Sequence, residues 1–71
     1  MPADTITIQV NAESKTVQSG ETIAGLLETL GKNPQYLAVE QNRILIRRAE
    51  HAQTILQAGD ILEIVTLVGG G

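Results

Sequence analysis

The side chains that carry most enzyme chemistry are scarce in this chain. It has no cysteine and one histidine, His51. No thiolate is available as nucleophile or metal ligand, and a lone imidazole has no partner at a recognisable motif spacing. His51 reads as a partly exposed loop residue. Asp60, in "AGD", reads as a turn former. Arg43, Arg47 and Arg48 read as a small, solvated basic cluster. What remains is the end, "EIVTLVGGG". Gly69, Gly70 and Gly71 precede no helix, so they do not form a helix-capped phosphate loop. Read as inert, they are a frayed terminus or a linker scar. Read as a working part, they are an arm without side chains that ends in a carboxylate. Such an arm threads a narrow channel and lets a partner's backbone approach closely. A carboxylate is a poor electrophile. Joined to AMP at the expense of ATP it becomes a good one, open to a sulfur or nitrogen nucleophile. The protein would then be a substrate rather than a catalyst.

Such an arm needs a rigid element to aim it. "ILEIVTLV", after the turn "QAGD", is almost unbroken in aliphatic residues, as suits a strand in the middle of a sheet. At the other end of the chain, Ile6, Ile8 and Val10 alternate with Thr5, Thr7 and Gln9, the pattern of a strand with one buried face. The turn-rich "NAES" and the short return strand "KTVQ" complete a hairpin over residues 5–18. In "SGETIAGLLETLG", Ile23, Leu26, Leu27 and Leu30 form one apolar helical stripe. Ser19 or Thr22 caps its start, Glu21 favours the positive end of its dipole, Gly31 ends it and Pro34 forbids continuation. "YLAVE" and "RILI" read as strands around a "QN" turn. "RRAEHAQTIL" reads as a loop with one helical turn.

The resulting order, β-β-α-β-β-β, places the last strand beside and parallel to the first, by way of the helix. This predicts an α+β fold of the β-grasp, ubiquitin-like kind: a mixed sheet of four to five strands with one main helix, over residues 1–68. Residues 69–71 are then a flexible glycine tail. The last strand is apolar on both faces, Leu62, Ile64 and Val68 on one and Ile61, Val65 and Leu67 on the other. One helix covers only one face. The surplus predicts partial exposure around Val65 and Leu67, a docking patch.

Composition narrows the partners. With 71 residues, 42% hydrophobic and 18% charged, the chain has the balance of one small globular domain. A net charge of -3 and a single aromatic, Tyr36, argue against nucleic-acid binding. No apolar run reaches the roughly 20 residues that span a bilayer. "MPADT" has no signal-peptide pattern, so the expected compartment is the cytoplasm.

These residues resemble a known family. "GD-ILEIVTLVGGG" is similar to the carboxyl-terminal signature of the ThiS sulfur carriers of thiamine biosynthesis. "VEQN", residues 39–42, resembles the V-E-x-N segment that the family carries before its fourth strand. The turn from Asn11 and the helix "ETIAGLLETLG" sit where the family has its hairpin turn and its long helix. The resemblance implies that Gly71 is adenylated by a ThiF-like, ATP-dependent enzyme and converted to a thiocarboxylate by a persulfide donor. It implies Gly70 in the required glycine pair, Gly69 at a more variable position, and thiazole synthase as the sulfur acceptor. No bound cofactor or metal is implied; ATP belongs to the activating partner. The chain departs from the pattern at Arg47, where a proline is common, at His51, where a large aromatic is common, and at Gly25, where an acidic residue is common.

Three other readings stay open from the residues. One is a MoaD-like small subunit of molybdopterin synthase, although such proteins are longer between helix and third strand than "GKNPQ" allows. Another is a ubiquitin-like modifier joined to lysine. The third is a passive β-grasp interaction domain.

Overall fold

The computed structural model describes residues 4–67. Five strands form one sheet: β1 (Thr5–Val10), β2 (Glu13–Gln18), β3 (Leu37–Gln41), β4 (Ile44–Ile46) and β5 (Ile61–Thr66). Their spatial order is β2-β1-β5-β3-β4. β5 is therefore central, parallel to β1 and antiparallel to β3. One helix, α1 (Ile23–Thr29), lies across one face. This is the expected β-grasp arrangement.

Local chemistry explains the boundaries. Asn11 and Ala12 both have positive φ, 51° and 72°, so the first hairpin closes through a tight two-residue turn whose twist matches the strands. That turn pairs Val10 with Glu13. β2 consequently starts at Glu13, two residues before the expected "KTVQ". The second hairpin closes in the same way through Asn42 and Arg43, at φ 54° and 70°. The turn is therefore one residue later than "QN", and Gln41 belongs to β3.

Thr22, not Ser19, caps α1: its Oγ1 accepts the Gly25 N–H at 3.1 Å. Glu21 sits just before the cap, where its carboxylate accepts the Thr22 N–H at 3.1 Å. That carboxylate occupies the space a Cβ on Gly25 would need. The helix ends in a Schellman motif. Lys32 N–H reaches Leu27 O at 2.9 Å, Gly31 N–H reaches Glu28 O at 3.0 Å, and Gly31 takes φ 71°. Pro34 then opens a 3₁₀ segment, Pro34–Tyr36, capped by Asn33. Tyr36 belongs to this segment rather than to β3.

The core is aliphatic. Ile8, Val10, Ile23, Leu26, Leu27, Leu37, Val39, Leu56, Leu62 and Ile64 form one buried cluster between helix and sheet. A second 3₁₀ segment, Arg48–Gln53, is the expected helical turn of the loop, and it packs beside α1. It brings His51 inside. The residue is 4% exposed, which corrects the expectation of a partly exposed loop histidine. The cause is the packing of this segment against α1. His51 Nε2 lies 3.2 Å from the Ile46 carbonyl oxygen. An oxygen there only accepts, so Nε2 carries the proton and buried Nδ1 is left without a partner. Arg43, Arg47 and Arg48 are exposed, as expected. Among the described residues no helix is long and apolar enough to cross a membrane, and no cluster of three or more ligating side chains could hold a metal.

Candidate functional site

The residues expected to do chemistry follow the central strand. Val68, Gly69, Gly70 and Gly71 lie outside the described residues. β5 can be followed to Leu67, and its surroundings show how the chain is held up to that point.

The entrance to β5 is clamped by one carboxylate. Asp60 is 6% exposed. Its Oδ2 accepts the Gln57 backbone N–H at 2.8 Å and the Gln41 side-chain amide at 2.7 Å, and its Oδ1 accepts the Asn42 amide at 3.1 Å. Asn42 is itself tied to the strand. Its Oδ1 accepts the Ile61 N–H at 2.9 Å, and its own N–H donates to the Ile61 carbonyl at 2.8 Å. "VEQN" and "GD" thus meet in space and fasten the β3–β4 hairpin to the start of the last strand. Burial pushes the Asp60 carboxyl up. The hydrogen bonds from the Gln57 N–H and the Asn42 and Gln41 amides outweigh it and hold the carboxyl below its ordinary range. Asp60 is the expected turn former and also the centre of this clamp.

Further along, β1 leaves the sheet at its hairpin, and β5 loses its parallel neighbour after Leu62. The Asn11 side chain takes the missing strand's place. Its Oδ1 accepts the Ile64 N–H at 2.8 Å and its Nδ2 donates to the Ile64 carbonyl at 3.2 Å. On the other edge, β3 pairs with β5 as far as Leu37 with Thr66. The Leu67 N–H then donates to the Tyr36 carbonyl at 2.7 Å. Replacing Asn11 by alanine removes both side-chain bonds and an asparagine well suited to positive φ. The expected cost is about 1–2 kcal/mol. Native-state hydrogen exchange should show it as selective loss of protection at Ile64, with the β3–β5 ladder retained.

The two faces of β5 separate as the period-two pattern predicts. Leu62 and Ile64 are buried under the helix. Ile61, Val65 and Leu67 lie on the opposite face, where Val65 is 53% and Leu67 52% exposed. The 47–58 segment packs on the helix side, as buried His51 and Leu56 show, so this outer face has no cover among the described residues. Both residues of the expected patch are therefore surface residues, and the patch is larger than expected. Ala38 pairs with Val65 across the strands, Ile61 is half exposed, and Leu45 on β4 is largely exposed. Sequence reasoning missed Leu45 and the charged residues among these positions, Glu40 and Glu63. Their signal was the same alternation, traced across β3, β4 and β5 together.

Fold and site define a small ubiquitin-like β-grasp domain whose central strand has, among the described residues, an uncovered apolar outer face and is followed in sequence by a glycine-rich end. The ThiS family model matches residues 8–71, and the chain belongs to that family. The crystal structure of a thiamine biosynthesis protein (ThiS) from Geobacter metallireducens superposes with a TM-score of 0.81 at 28% identity, covering 93% of this chain and 100% of that one. The chain is also 38% identical over 64 residues to a thiazole synthase of Magnetococcus marinus, which covers 90% of this chain and 20% of that protein. It therefore spans about a fifth of that relative's length. An uncharacterized protein, ycf40, of Pyropia yezoensis is 38% identical over 66 residues, 93% of each chain.

Proposed function

We propose that this protein carries sulfur on the carboxylate of Gly71, as a thiocarboxylate, and delivers it for thiazole formation. The observation that carries the reading is the family match, which runs through the last strand to Gly71 itself. The structure supports it by tying down the strand that precedes the tail at Asp60, Asn42 and Asn11, so that the arm starts from a fixed point.

The chemistry balances in four steps. A carboxylate oxygen of Gly71 attacks the α-phosphorus of ATP on a ThiF-like adenylating enzyme, and pyrophosphate leaves. The terminal sulfur of a protein persulfide attacks the acyl carbon, and AMP leaves. A second thiol attacks the sulfur that had belonged to the persulfide protein, forming a disulfide and releasing the thiocarboxylate. On thiazole synthase the thiocarboxylate sulfur then bonds to an electrophilic carbonyl carbon of the substrate, the acyl–sulfur bond breaks, and the oxygen displaced from that carbon returns Gly71 to a carboxylate. Gly69 and Gly70 provide an arm without Cβ atoms that fits both active sites. Val65 and Leu67 provide apolar contact area next to it. A thiazole synthase relative that includes a segment similar to 90% of this chain supports that enzyme as a partner.

The test is reconstitution with the adenylating enzyme of the same organism, ATP and a persulfide donor. The reading expects Gly71 to exchange one oxygen for sulfur, with release of AMP and pyrophosphate. Isopeptide adducts to lysine would support a protein modifier instead.

A further inference from the structure

β5 is paired on two sides, and the two pairings end at different places. On the β3 side the ladder runs to Leu37 with Thr66, and the Leu67 N–H still finds the Tyr36 carbonyl. On the β1 side the parallel pairing stops at Val10 with Leu62. There β1 turns back into its hairpin, and Asn11 carries the ladder one step further. Its backbone N–H donates to the Leu62 carbonyl at 2.9 Å. Its side chain then meets both backbone groups of Ile64: Oδ1 accepts the N–H at 2.8 Å, and Nδ2 donates to the carbonyl at 3.2 Å. Few side chains can do this. A primary amide offers an acceptor and a donor side by side, as a neighbouring strand does. Asparagine also accepts the positive φ of the turn, here 51°. Thr66, the next residue facing that edge, has no strand beside it. Among the described residues, Ile64 is therefore the last point at which β5 is held from both sides.

Gly71 follows Ile64 by seven positions, 64 to 71. Extended in a partner's channel, that stretch is roughly 23–25 Å long. A strand held from one side only can swing about its remaining ladder, and a swing of about 5° at Ile64 carries the far end about 2 Å. A misplacement of about 1 Å at the reacting atoms can already cost 100-fold. We propose that Asn11 is a positioning residue for loading. Acting through Ile64, it fixes the direction in which the tail leaves the sheet, and so brings the Gly71 carboxylate to the α-phosphorus of ATP on the adenylating enzyme. Asn11 itself touches neither group. The apolar outer face is built by other residues, so recognition of the carrier does not depend on Asn11. The inference rests on the proposed function for the identity of the reaction. It adds to that reading the residue that aims the reacting end.

The test varies the concentration of the carrier against the adenylating enzyme of the same organism. It reads ATP–pyrophosphate exchange, well below the melting temperature of every variant. Asn11→Gly keeps the turn, because glycine adopts positive φ freely, and removes both side-chain bonds. Its kcat should fall about tenfold, with KM within about twofold of the wild type. Asn11→Asp keeps an acceptor for the Ile64 N–H and loses the donor to its carbonyl, so its kcat should lie between the two. Ile8→Val, a small loss of volume in the core, controls for stability. It should melt lower, as Asn11→Gly does, and load at the wild-type kcat. A wild-type kcat in Asn11→Gly would overturn the proposal. So would a raised KM at unchanged kcat, which would place Asn11 in docking, or an equal fall in Ile8→Val, which would make the effect one of stability. A wild type that does not load Gly71 at all would overturn the proposed function itself, and Asn11 would have no reaction to position.

Discussion

Deleting Gly71, or adding one residue after it, abolishes loading of the carboxylate by the adenylating enzyme and leaves the fold unchanged. The reason is reach. One extended residue moves the terminal carboxylate by roughly 3.3–3.6 Å. An in-line attack on a phosphorus atom needs the reacting atoms within about 3–3.5 Å, and a misplacement of about 1 Å can cost 100-fold. A whole residue therefore takes the carboxylate out of the site or drives it into the enzyme. The fold does not depend on Gly71, because the chain before it is held at Ile61, Ile64 and Leu67. ATP–pyrophosphate exchange measures loading, and thermal unfolding measures the fold. The shortened and extended proteins should melt with the wild type while exchange falls at least ~100-fold. Exchange at the wild-type rate would mean that the terminal carboxylate is not the reacting group.

The second large effect is expected at Asp60. Replacement by alanine leaves three donors without their acceptor: the Gln57 N–H and the Gln41 and Asn42 amides. Hydrogen bonds to a charged group contribute about 1.5–3 kcal/mol, and water can reach part of this site once the side chain is gone. A loss of about 2–3 kcal/mol follows, which in a domain this size lowers the melting temperature by roughly 10–20 °C. The same clamp sets a pH dependence. The folded carboxyl is held below its ordinary range, so in acid the unfolded chain binds the proton first. The stabilisation is complete above the unfolded value of about 3.9 and is lost as pH falls through the lower, folded value. Melting temperatures recorded from neutral pH down through that window should fall more steeply for the wild type than for Asp60→Asn. Parallel curves would mean that the clamp does not depend on the charge.

The parts of the fold that were legible in the sequence are those written in local periodicity. Alternation marked β1, an almost unbroken aliphatic run marked β5, the Ile23–Leu30 stripe marked the helix, and a mid-chain helix between hairpins required the parallel crossover. The exposed pair Val65 and Leu67 followed from counting faces on β5. Features set by contacts distant in sequence were not legible. Asn11 bonds to Ile64 across 53 positions, and no neighbour of Asn11 announces it. Asn42 and Asp60 are 18 apart and acquire a shared role only when β3 and β5 are paired. Positive φ at two consecutive non-glycine residues shifted the start of one strand and the position of one turn. His51 is the clearest miss. Its segment has no periodicity, and a 3₁₀ turn buries whichever residue faces the helix.

In the proposed reading the reacting end and the stable core are separate. The aliphatic cluster and the Asp60 clamp hold the strand, and the outer face and the tail would serve partners. A substitution in the core should therefore change melting temperature before it changes loading, and a substitution in the tail should do the reverse.

The central claim is that Gly71 carries sulfur. The most direct measurement is the intact mass of the protein purified from its native host, with fragmentation that locates any change along the chain. The account predicts a fraction of molecules heavier by the exchange of one oxygen for one sulfur, confined to Gly71 and removed by alkylation and hydrolysis. An unmodified carboxylate at Gly71, even after incubation with the host's adenylating enzyme, ATP and a persulfide donor, would contradict it.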